Sequence, residues 1–327
     1  MTPRLLILGI VLSLQARAED KTFTTIDVDQ AILTRAIDIN ADGDIVGRYD
    51  TVDNVIHSYL LRPGQNSSES DFTSIDFPDA VATGMGGVNG CRDISGWYRQ
   101  AGGQIRGYLL HQGEFGLVDF PGAVFTRPTK INDRGDIVGW YDSADGHHGF
   151  LLSEDGFSSI DRPDALATRP NGINCHGDIV GFYTSPEDHR DHAFLLRGGE
   201  FTSIDSPGSI RSEATGINPR GDISGHYTDA DNGTHSYLLR RGQFHSFDFP
   251  DAIATRAIGI NARGEIVGYY DGADHVHGFL RSSKGDERSN VNQDAEHDDN
   301  LRQCPPTACS RFSDTAAGFH RNRAPFF

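Results

Sequence analysis

The sequence is poor in cysteine, methionine, tryptophan and basic residues. Its 327 residues include 4 Cys, 2 Met and 2 Trp, and the 29 Lys and Arg stand against 46 Asp and Glu, which gives a net charge of −17. Four cysteines are too few for a disulfide-stapled mini-fold, and the 38 Gly lack the three-residue period of collagen. A non-specific nucleic-acid binder needs a basic surface, which this composition does not supply. We therefore expect no nucleic-acid partner.

Long apolar runs are also missing. The longest one near the start, residues 5–14, is too short to span a bilayer. It follows Arg4 and precedes Ala16-Arg17-Ala18, which is the pattern of a signal peptide and its cleavage site. We predict a signal peptide over residues 1–18, a secreted or periplasmic protein and no membrane span; the alternative is a buried N-terminal strand.

One sequence unit occurs six times. It reads approximately F-x-S-I-D-x-P-x-A-x-A-T-R-x-x-G-I-N-x-x-G-D-I-V-G-x-Y and is followed by a variable stretch and H-G-F-L-L. Its Asn recurs at steps of 49, 43, 42, 44 and 43 residues, and the Asp of Ser-Ile-Asp recurs at the same steps. The positions of this Asn are Asn40, Asn89, Asn132, Asn174, Asn218 and Asn261.

A period of about 43 residues is typical of helical solenoids or of propeller blades. Each unit holds four short runs rich in Ile, Val, Phe and Tyr, separated by Gly, Pro, Asn and Asp. No run is long enough for a helix, and the interior glycines would each cost a helix roughly 1 kcal/mol. The fourth unit predicts strands a to d at about residues 168–173, 178–183, 192–196 and 201–205. We predict an all-β, six-bladed β-propeller of four-stranded antiparallel blades.

The order of the strands predicts how the ring closes. The chain opens with a lone d-type segment, residues 23–27, and its last repeat stops after a c-type segment, residues 277–280. Pairing of this N-terminal strand with the last repeat would complete the sixth blade and remove open sheet edges. We predict the propeller over residues 19–283 and a disordered C-terminal tail over residues 284–327.

The two faces of the predicted propeller differ in sequence. The a–b and c–d turns are mostly short and alike, whereas the b–c loops vary between units, as in residues 50–54, 99–104 and 184–191. Variable loops on a fixed scaffold are where binding residues usually lie. The face of the b–c and d–a loops is therefore the predicted binding face.

A cation opens every strand c and should stand opposite an Asp of strand d. If Leu196 pairs with Phe201 across the hairpin, His192 lies opposite Asp205. We interpret these residues as structural cross-strand pairs and not as a metal ring, because Arg106 is not an ordinary metal ligand. The six predicted pairs are His57 with Asp76, Arg106 with Asp119, His148 with Asp161, His192 with Asp205, His235 with Asp248, and His277 with Asp27.

Two further rows should reach the same face. The row at the start of strand a is Arg35, Gly84, Arg127, Arg169, Glu213 and Arg256, and the row near the end of strand b is Arg48, Trp97, Trp140, Phe182, His226 and Tyr269. The arginines could hold a carboxylate, sulfate or phosphate, or they could pair with the loop acids Asp79, Asp164 and Asp251. The aromatic residues suit sugar rings or apolar groups, or they pack between blades. The ligand-binding candidates are Arg35, Arg127, Arg169, Arg256, Trp97, Trp140, Phe182 and Tyr269.

Short motifs add little chemistry. Asp38, Asn40 and Asp42 resemble the start of a calcium loop, but Tyr49 stands where an EF-hand has its bidentate Glu, so calcium is only an alternative to a plain a–b turn. No nucleophile elbow, phosphate loop or Cys-x-x-C motif is present.

The four cysteines are spread over the repeats and the tail. Cys304 and Cys309 lie close together in the tail and could form a disulfide. Cys91 and Cys175 lie in separate a–b turns, which should be too far apart in the ring to pair.

The tripeptide His192-Ala193-Phe194, followed by a Gly turn and Gly-Ile-Asn-x-x-Gly, resembles the bacterial extracellular repeat family named for its His-Ala-Phe (HAF) tripeptide. The resemblance covers about residues 23–280, although most units read His-Gly-Phe or His-Ser-Tyr. The family is a structural description without an assigned activity, so the resemblance implies no catalytic residues. Blade plan and hairpin order are also similar to those of WD-repeat propellers.

The sequence therefore predicts a secreted, non-enzymatic binding module that uses the face of the b–c and d–a loops, with an unknown protein, a glycan or a small anion as its partner. The alternative is an extracellular propeller glycan hydrolase or lyase with acids from different blades at the channel mouth. Glu213 is the conspicuous candidate for such an acid.

Overall fold

The computed structural model describes residues 17–18, 21–62, 71–283 and 304, and these residues form an all-β structure. Because the described residues contain strands and turns but no helix, they offer no helix long and apolar enough to cross a membrane. Most of the predicted signal peptide, and the predicted disordered tail apart from Cys304, lie outside the described residues.

The first five repeat units each form four consecutive strands, which pair antiparallel in chain order and are called a, b, c and d in each unit. The strands are β3 (Leu33–Ile39), β4 (Ile45–Asp50), β5 (Ile56–Arg62) and β6 (Asp71–Ser74) in the first unit; β7 (Ala82–Val88), β8 (Ile94–Arg99), β9 (Ile105–His111) and β10 (Glu114–Val118) in the second; β11 (Phe125–Ile131), β12 (Ile137–Ser143), β13 (Gly146–Ser153) and β14 (Gly156–Ile160) in the third; β15 (Ala167–Ile173), β16 (Ile179–Thr184), β17 (Asp191–Arg197) and β18 (Glu200–Ser203) in the fourth; and β19 (Arg211–Ile217), β20 (Ile223–Thr228), β21 (Thr234–Arg240) and β22 (Gln243–Phe247) in the fifth.

The sixth unit takes its outer strand from the start of the chain. Its strands a to c follow the fifth unit, and its strand d pairs antiparallel with strand c from Lys21 opposite Ser283 to Ile26 opposite Gly278. The strands of this unit are β23 (Ala254–Ile260), β24 (Ile266–Asp271), β25 (Val276–Ser283), β2 (Lys21–Ile26) and the short β1 (Arg17–Ala18), which pairs with β2. Within the described strands, backbone pairing does not close into a single sheet.

The a–b turn has the same construction in every unit. In the first unit the side-chain oxygen of Asn40 accepts hydrogen bonds from the backbone N–H groups of Asp42 at 3.0 Å and Asp44 at 2.9 Å. Gly43 takes a φ of 91°, which a residue without Cβ adopts at little cost. The repeated Asn-x-x-Gly-Asp is therefore the sequence of a side-chain-capped tight turn.

These asparagines also connect the units. Each side-chain amide donates to the backbone carbonyl of the Asn in the next unit, and all six asparagines are buried. The bonds run from Asn40 to Asn89 at 3.1 Å, from Asn89 to Asn132 at 3.3 Å, from Asn132 to Asn174 at 3.0 Å, from Asn174 to Asn218 at 3.4 Å, from Asn218 to Asn261 at 3.3 Å, and from Asn261 to Asn40 at 3.1 Å. The series of hydrogen bonds thus connects the sixth unit back to the first.

The core lies between neighbouring units. Six apolar clusters each mix residues of two adjacent units; one, for example, joins Val46 and Leu60 of the first unit to Met85 and Ile94 of the second. A large ring stands at the same place in every strand c and is fully buried, which stabilises each unit by about 1.5–3 kcal/mol. These rings are Tyr59, Tyr108, Phe150, Phe194, Tyr237 and Phe279.

An ion pair fills the interior between the a strands. The a strands of neighbouring units lie side by side all the way around, including β23 beside β3. Lys130 of the third unit places its Nζ 2.7 Å from Oδ1 of Asp38 of the first unit, and both side chains are buried. The other four units have glycine at this position, and a Cβ on Gly259 would lie 2.8 Å from the Asp38 carboxylate. The pair therefore occupies the space that these glycines leave.

A disulfide links the tail to the fourth unit. Cys304 is bonded to Cys175, which lies in an a–b turn, with a Cα–Cα distance of 5.7 Å. The expected bridge between Cys304 and Cys309 is therefore wrong, because Cys304 lies at the face of the a–b turns, beside a cysteine far away in sequence. Cys91 is also disulfide-bonded. Such bonds are typical of proteins in oxidising compartments.

Candidate functional site

The cation near the start of strand c contacts the Asp that follows strand d in all six units. Leu196 pairs with Phe201, and this hairpin register places His192 next to Asp205. In the fourth unit the carboxylate also accepts the backbone N–H of Ala193 at 2.8 Å. The nitrogen–oxygen distances are 2.8 Å for His57 and Asp76, 2.5 Å for Arg106 and Asp119, 3.1 Å for His148 and Asp161, 2.8 Å for His192 and Asp205, 2.7 Å for His235 and Asp248, and 2.9 Å for His277 and Asp27.

Several of these histidines lie between two carboxylates. Nε2 of His235 lies 3.3 Å from Asp229 of the b–c loop, while Nδ1 contacts Asp248. The hydrogen bond to Asp248 is the main cause of a raised pKa of His235, and burial opposes it only in part. The imidazoles also pack against the tyrosine near the end of strand b, as in Tyr183 and His192 with ring centroids 5.4 Å apart. These contacts fit a structural role for the histidines.

The arginine row of strand a and the aromatic row of strand b lie opposite each other. Arg127 pairs in register with Trp140, Arg169 with Phe182, and Arg256 with Tyr269. The guanidinium groups also lie over rings of neighbouring units, which joins the two rows around the interior. The distances from guanidinium carbon to ring centroid are 4.5 Å for Arg35 and Tyr269, 5.0 Å for Arg127 and Trp97, 5.8 Å for Arg127 and Trp140, 4.5 Å for Arg169 and Trp140, 5.7 Å for Arg169 and Phe182, and 5.5 Å for Arg256 and Tyr269.

Four of these basic side chains form an arginine cluster, which we define as Arg35, Arg48, Arg127 and Arg169. Burial, together with the charges of Arg48, Arg169 and Arg35, lowers the pKa of Arg127 to about 10. Burial also lowers the pKa of Arg48, with Arg35 as the next cause. Positive charges that are buried together repel one another, so the cluster favours a negatively charged guest.

A single described carboxylate lies within ion-pair distance of this cluster. Oδ1 of Asp50 is 4.0 Å from Nε of Arg48. The buried Nε atoms of Arg35, Arg48 and Arg169 have no hydrogen-bond partner among the described residues. Unsatisfied buried donors cost free energy that an anionic ligand would recover.

The loop acids proposed as partners of the arginines have another role. Asp79, Asp164 and Asp251 take φ angles of 60°, 63° and 59° in the d–a loops, a conformation that Asp tolerates better than most residues. Among the described residues, none of the three forms an ion pair with the arginine row, in which Arg256 instead contacts Asp271 at 3.1 Å.

Arg127 of the cluster lines a cavity of about 390 Å³ that extends inward to Lys130. Polar groups on its wall include Arg127, Arg256, Asn171 and Glu213. Oε2 of Glu213 lies 3.7 Å from Nε2 of the buried His226, whose pKa is lowered chiefly by burial. The Asp38–Lys130 pair separates this space from a smaller one of about 90 Å³ on the side of the a–b turns, where Cys304 lies. The larger cavity is thus a funnel that ends at the ion pair.

A second groove lies on the fourth unit. It encloses about 580 Å³ between the d–a loop at Arg162 and the long b–c loop at Ser185 and Glu187. The guanidinium carbon of Arg162 lies 3.8 Å from the centroid of the Tyr183 ring. The residue equivalent to Arg162 before the second unit is Phe77, which stacks on Tyr98. The fourth unit therefore differs from its neighbours at this face.

An exposed aliphatic rim surrounds the funnel, and sequence analysis missed it. The residue before strand a is aliphatic in every unit, and its N–H donates to the carbonyl of the last or second-last residue of strand b. We define the rim as Ile32, Val81, Val124, Leu166, Ile210 and Ile253; the exposures of all but the half-buried Ile210 range from 41 to 76%. The sequence signal that could have identified the rim is the apolar residue at a constant position just before strand a. In the structure this residue does not pack into a core. Exposed apolar surface of this kind marks interaction sites.

The residues proposed for calcium are engaged elsewhere. Asp38 bonds to Lys130 and accepts the backbone N–H of Val88 at 3.0 Å, and Asn40 uses its side-chain oxygen within the turn. Asp42 is exposed. A calcium ion at these three residues would have to displace the buried ion pair.

Comparisons with known proteins support a propeller-like, all-β fold. No protein-family model and no curated protein matches the sequence. Among solved structures, AofleA from Arthrobotrys oligospora has 11% identity and a TM-score of 0.54, with 81% of this chain and 87% of that chain covered. The Aleuria aurantia lectin, solved with Fucα1-6GlcNAc, has 9% identity and a TM-score of 0.49 over 76% of this chain and 91% of the lectin. A Trypanosoma rangeli sialidase has 9% identity and a TM-score of 0.47, with 79% of this chain and 56% of the sialidase covered.

Proposed function

We propose that the six units form a closed six-bladed propeller that is secreted and acts as a binding module. The closed ring is supported by the pairing of β2 with β25, by the side-by-side a strands and by the circle of asparagine bonds. Secretion is supported by the signal-peptide pattern and by the Cys175–Cys304 disulfide. Membership of the HAF repeat family remains part of this proposal and rests on the sequence motif.

The ligand site of the module is the funnel on the face of the b–c and d–a loops. The observation that carries this proposal is the arginine cluster, which is partly buried and has a single carboxylate, that of Asp50, within ion-pair distance among the described residues of a chain of net charge −17. A carboxylate, sulfate or phosphate group would satisfy these guanidinium groups with charge-assisted hydrogen bonds. An anionic group of the ligand therefore enters the funnel.

The surroundings of the cluster favour a ligand larger than an inorganic ion. Trp97, Trp140, Phe182 and Tyr269 present rings beside the arginines, and the aliphatic rim provides apolar contacts outside them. Rings of this kind contact the apolar faces of sugars. A glycan with acidic groups is the ligand class that uses both features.

Glu213 supports glycan hydrolase or lyase activity as a second candidate function. It breaks the repeat symmetry, and its Oε2 lies 3.7 Å from Nε2 of His226, whose pKa is lowered chiefly by burial; a water molecule between the two groups would allow proton transfer. A two-carboxylate hydrolase needs a second acid at the same cavity. Among the described residues that line the funnel, Glu213 is the one carboxylate. A second acid would therefore have to come from the ligand.

The test uses the two tryptophans of the protein as reporters, because both belong to the aromatic row. The full mature chain is titrated with sulfate, glucuronate and acidic or neutral oligosaccharides while tryptophan emission is recorded, and products are sought by mass spectrometry. We expect saturable binding of acidic glycans without turnover. Product formation that Glu213→Gln abolishes would favour the enzyme instead.

The control separates the cluster from general charge effects. Arg127→Gln should weaken binding of acidic glycans at least tenfold, whereas Arg190→Gln, which removes the same charge from the exposed b–c loop of the fourth unit, should leave it unchanged. Equal losses in the two variants, or binding that does not depend on an acidic group, would contradict the proposed site.

A further inference from the structure

A group of metal-ligating side chains lies where the two ends of the repeat array meet. Asp27 directly follows β2, whereas His275 directly precedes β25 and His277 is the second residue of β25. One ligand atom from each of the three lies within 4.8 Å of the others, and no second group of this kind was found within the described residues. The cluster is separate from the funnel of the proposed function.

Hydrogen bonds already order these side chains. Nδ1 of His277 lies 2.9 Å from Oδ2 of Asp27, and its Nε2 lies 2.9 Å from Oδ1 of Asp274. Nδ1 of His275 lies 3.1 Å from Oδ2 of Asp274, so this carboxylate contacts both imidazoles. The two imidazole rings lie 3.9 Å apart between centroids. His277 is nearly buried, whereas His275 and Asp27 are partly exposed, so an ion could reach them from solvent.

The second histidine sets this unit apart from the other five. Each unit has a cation–carboxylate pair at this place, but the residue two positions before the cation is a histidine in the sixth unit alone. The corresponding residues of the first five units are Val55, Gln104, Gly146, Arg190 and Gly233. The repeated pair therefore explains His277 and Asp27, but it leaves His275 without a structural role of its own.

We propose that His275, His277 and Asp27 form a binding site for a divalent transition metal, with Zn²⁺ as the best match. Two imidazoles and one carboxylate are donors that Zn²⁺ accepts, with a fourth position left for water, while Asp274 accepts a hydrogen bond from Nε2 of His277. Zinc–ligand bonds of about 2.0–2.1 Å place tetrahedral ligand atoms roughly 3.4 Å apart. The spacing of 2.9 Å between His277 and Asp27 needs only a small expansion to admit the ion.

The ion would fasten the two ends of the repeat array together. Asp27 and His277 are 250 positions apart, and their hydrogen bond is one of the contacts that hold β2 against β25. A metal bound to both residues binds the folded chain and not the unfolded one, so it shifts the unfolding equilibrium toward the folded state. The metal would thus cross-link the N-terminal strand β2 to the last strand, β25.

The experiment uses the full mature chain after removal of metals with EDTA and of EDTA by dialysis. Addition of ZnCl2 should raise the Tm by on the order of 5 °C at a hundredfold excess over Kd. Isothermal titration should show this site as one Zn²⁺ per chain, and Co²⁺ should give the visible absorption of a tetrahedral site. The disulfides require that no reducing agent is present.

Two matched variants decide the assignment. His275→Asn keeps the His277–Asp27 bond, so its Tm without metal should equal that of the parent, but its response to ZnCl2 should be lost. His147→Asn removes a histidine that contacts Asp142 in the third unit and should leave the response intact. A Tm that does not respond to Zn²⁺ in the parent, or that rises equally in His275→Asn, would overturn the proposal, whatever the result for the funnel.

Discussion

The side-chain amide of Asn261 donates a hydrogen bond to the backbone carbonyl of Asn40 at 3.1 Å, across 221 positions of the chain. Five equivalent bonds connect the other units, so the sixth bond relates the last unit to the first in the same way as any internal pair. This equivalence is what a ring requires, because an open stack would leave one asparagine and one carbonyl at its ends without partners.

The asparagine bonds allow a test of the closed ring. Asn261→Ala removes the donor to Asn40 and the acceptor for the N–H groups of its own turn, and it leaves buried polar groups without partners. We expect a loss of about 1–3 kcal/mol for each group left unsatisfied. Asn174→Ala is the internal control, because it breaks the same set of bonds within the array. Urea unfolding should give similar losses in both; a much smaller loss for Asn261→Ala would argue for an open arrangement.

The Asp38–Lys130 pair predicts a strong dependence of stability on both partners. Lys130→Met leaves a buried carboxylate without its cation, which should lower the free energy of unfolding by about 3–5 kcal/mol. The double variant Asp38→Asn, Lys130→Met removes the charge and keeps an acceptor for the N–H of Val88. It should therefore recover most of the loss in denaturant unfolding. A double variant as unstable as the single one would show that packing, and not charge, is what the pair provides.

The raised pKa of His235 predicts a pH-dependent contribution to stability. A group whose pKa is higher in the folded than in the unfolded state stabilises the fold fully below its unfolded pKa, near 6.5, and this gain disappears as pH rises through the folded pKa. Between pH 6 and pH 8.5, the Tm of the parent should therefore fall by more than the Tm of His235→Gln. His245→Gln removes an exposed histidine from β22 and serves as control. Parallel Tm curves for the parent and His235→Gln would contradict the prediction.

Sequence reasoning was most effective where contacts are local in the repeat. The register of one hairpin, with Leu196 opposite Phe201, was enough to place His192 next to Asp205, because antiparallel pairing fixes which residues face each other. The same logic found the two rows that meet in the funnel. It treated Arg48 only as a member of the aromatic row, although its charge is one of those that lower the pKa of Arg127.

Contacts across the interior could not be found in this way. Asp38 and Lys130 belong to units that are not neighbours, so no repeat spacing relates them, and the sequence interpretation considered Asp38 only as part of an a–b turn with calcium as an alternative. The partner of Cys304 depends on which a–b turn this residue contacts, and periodicity does not report that contact. The aliphatic rim was overlooked because its sequence signal, an apolar residue next to a strand, is also that of a core position.

The Cys175–Cys304 disulfide predicts a specific cross-link and a loss of stability when it is removed. Peptide mapping without reduction should give a fragment that joins these two cysteines and none that joins Cys304 to Cys309. The bond closes a loop of 129 positions, for which the chain-entropy model gives a stabilisation of about 4–5 kcal/mol. This value is an upper limit, because the model assumes that the whole loop is ordered by the fold. Cys175→Ser should therefore lower the free energy of unfolding by up to this amount while leaving the affinity of the funnel for acidic glycans unchanged, because the disulfide lies on the side of the a–b turns. Reduced affinity in this variant would mean that the tail and the funnel are coupled through the Asp38–Lys130 pair.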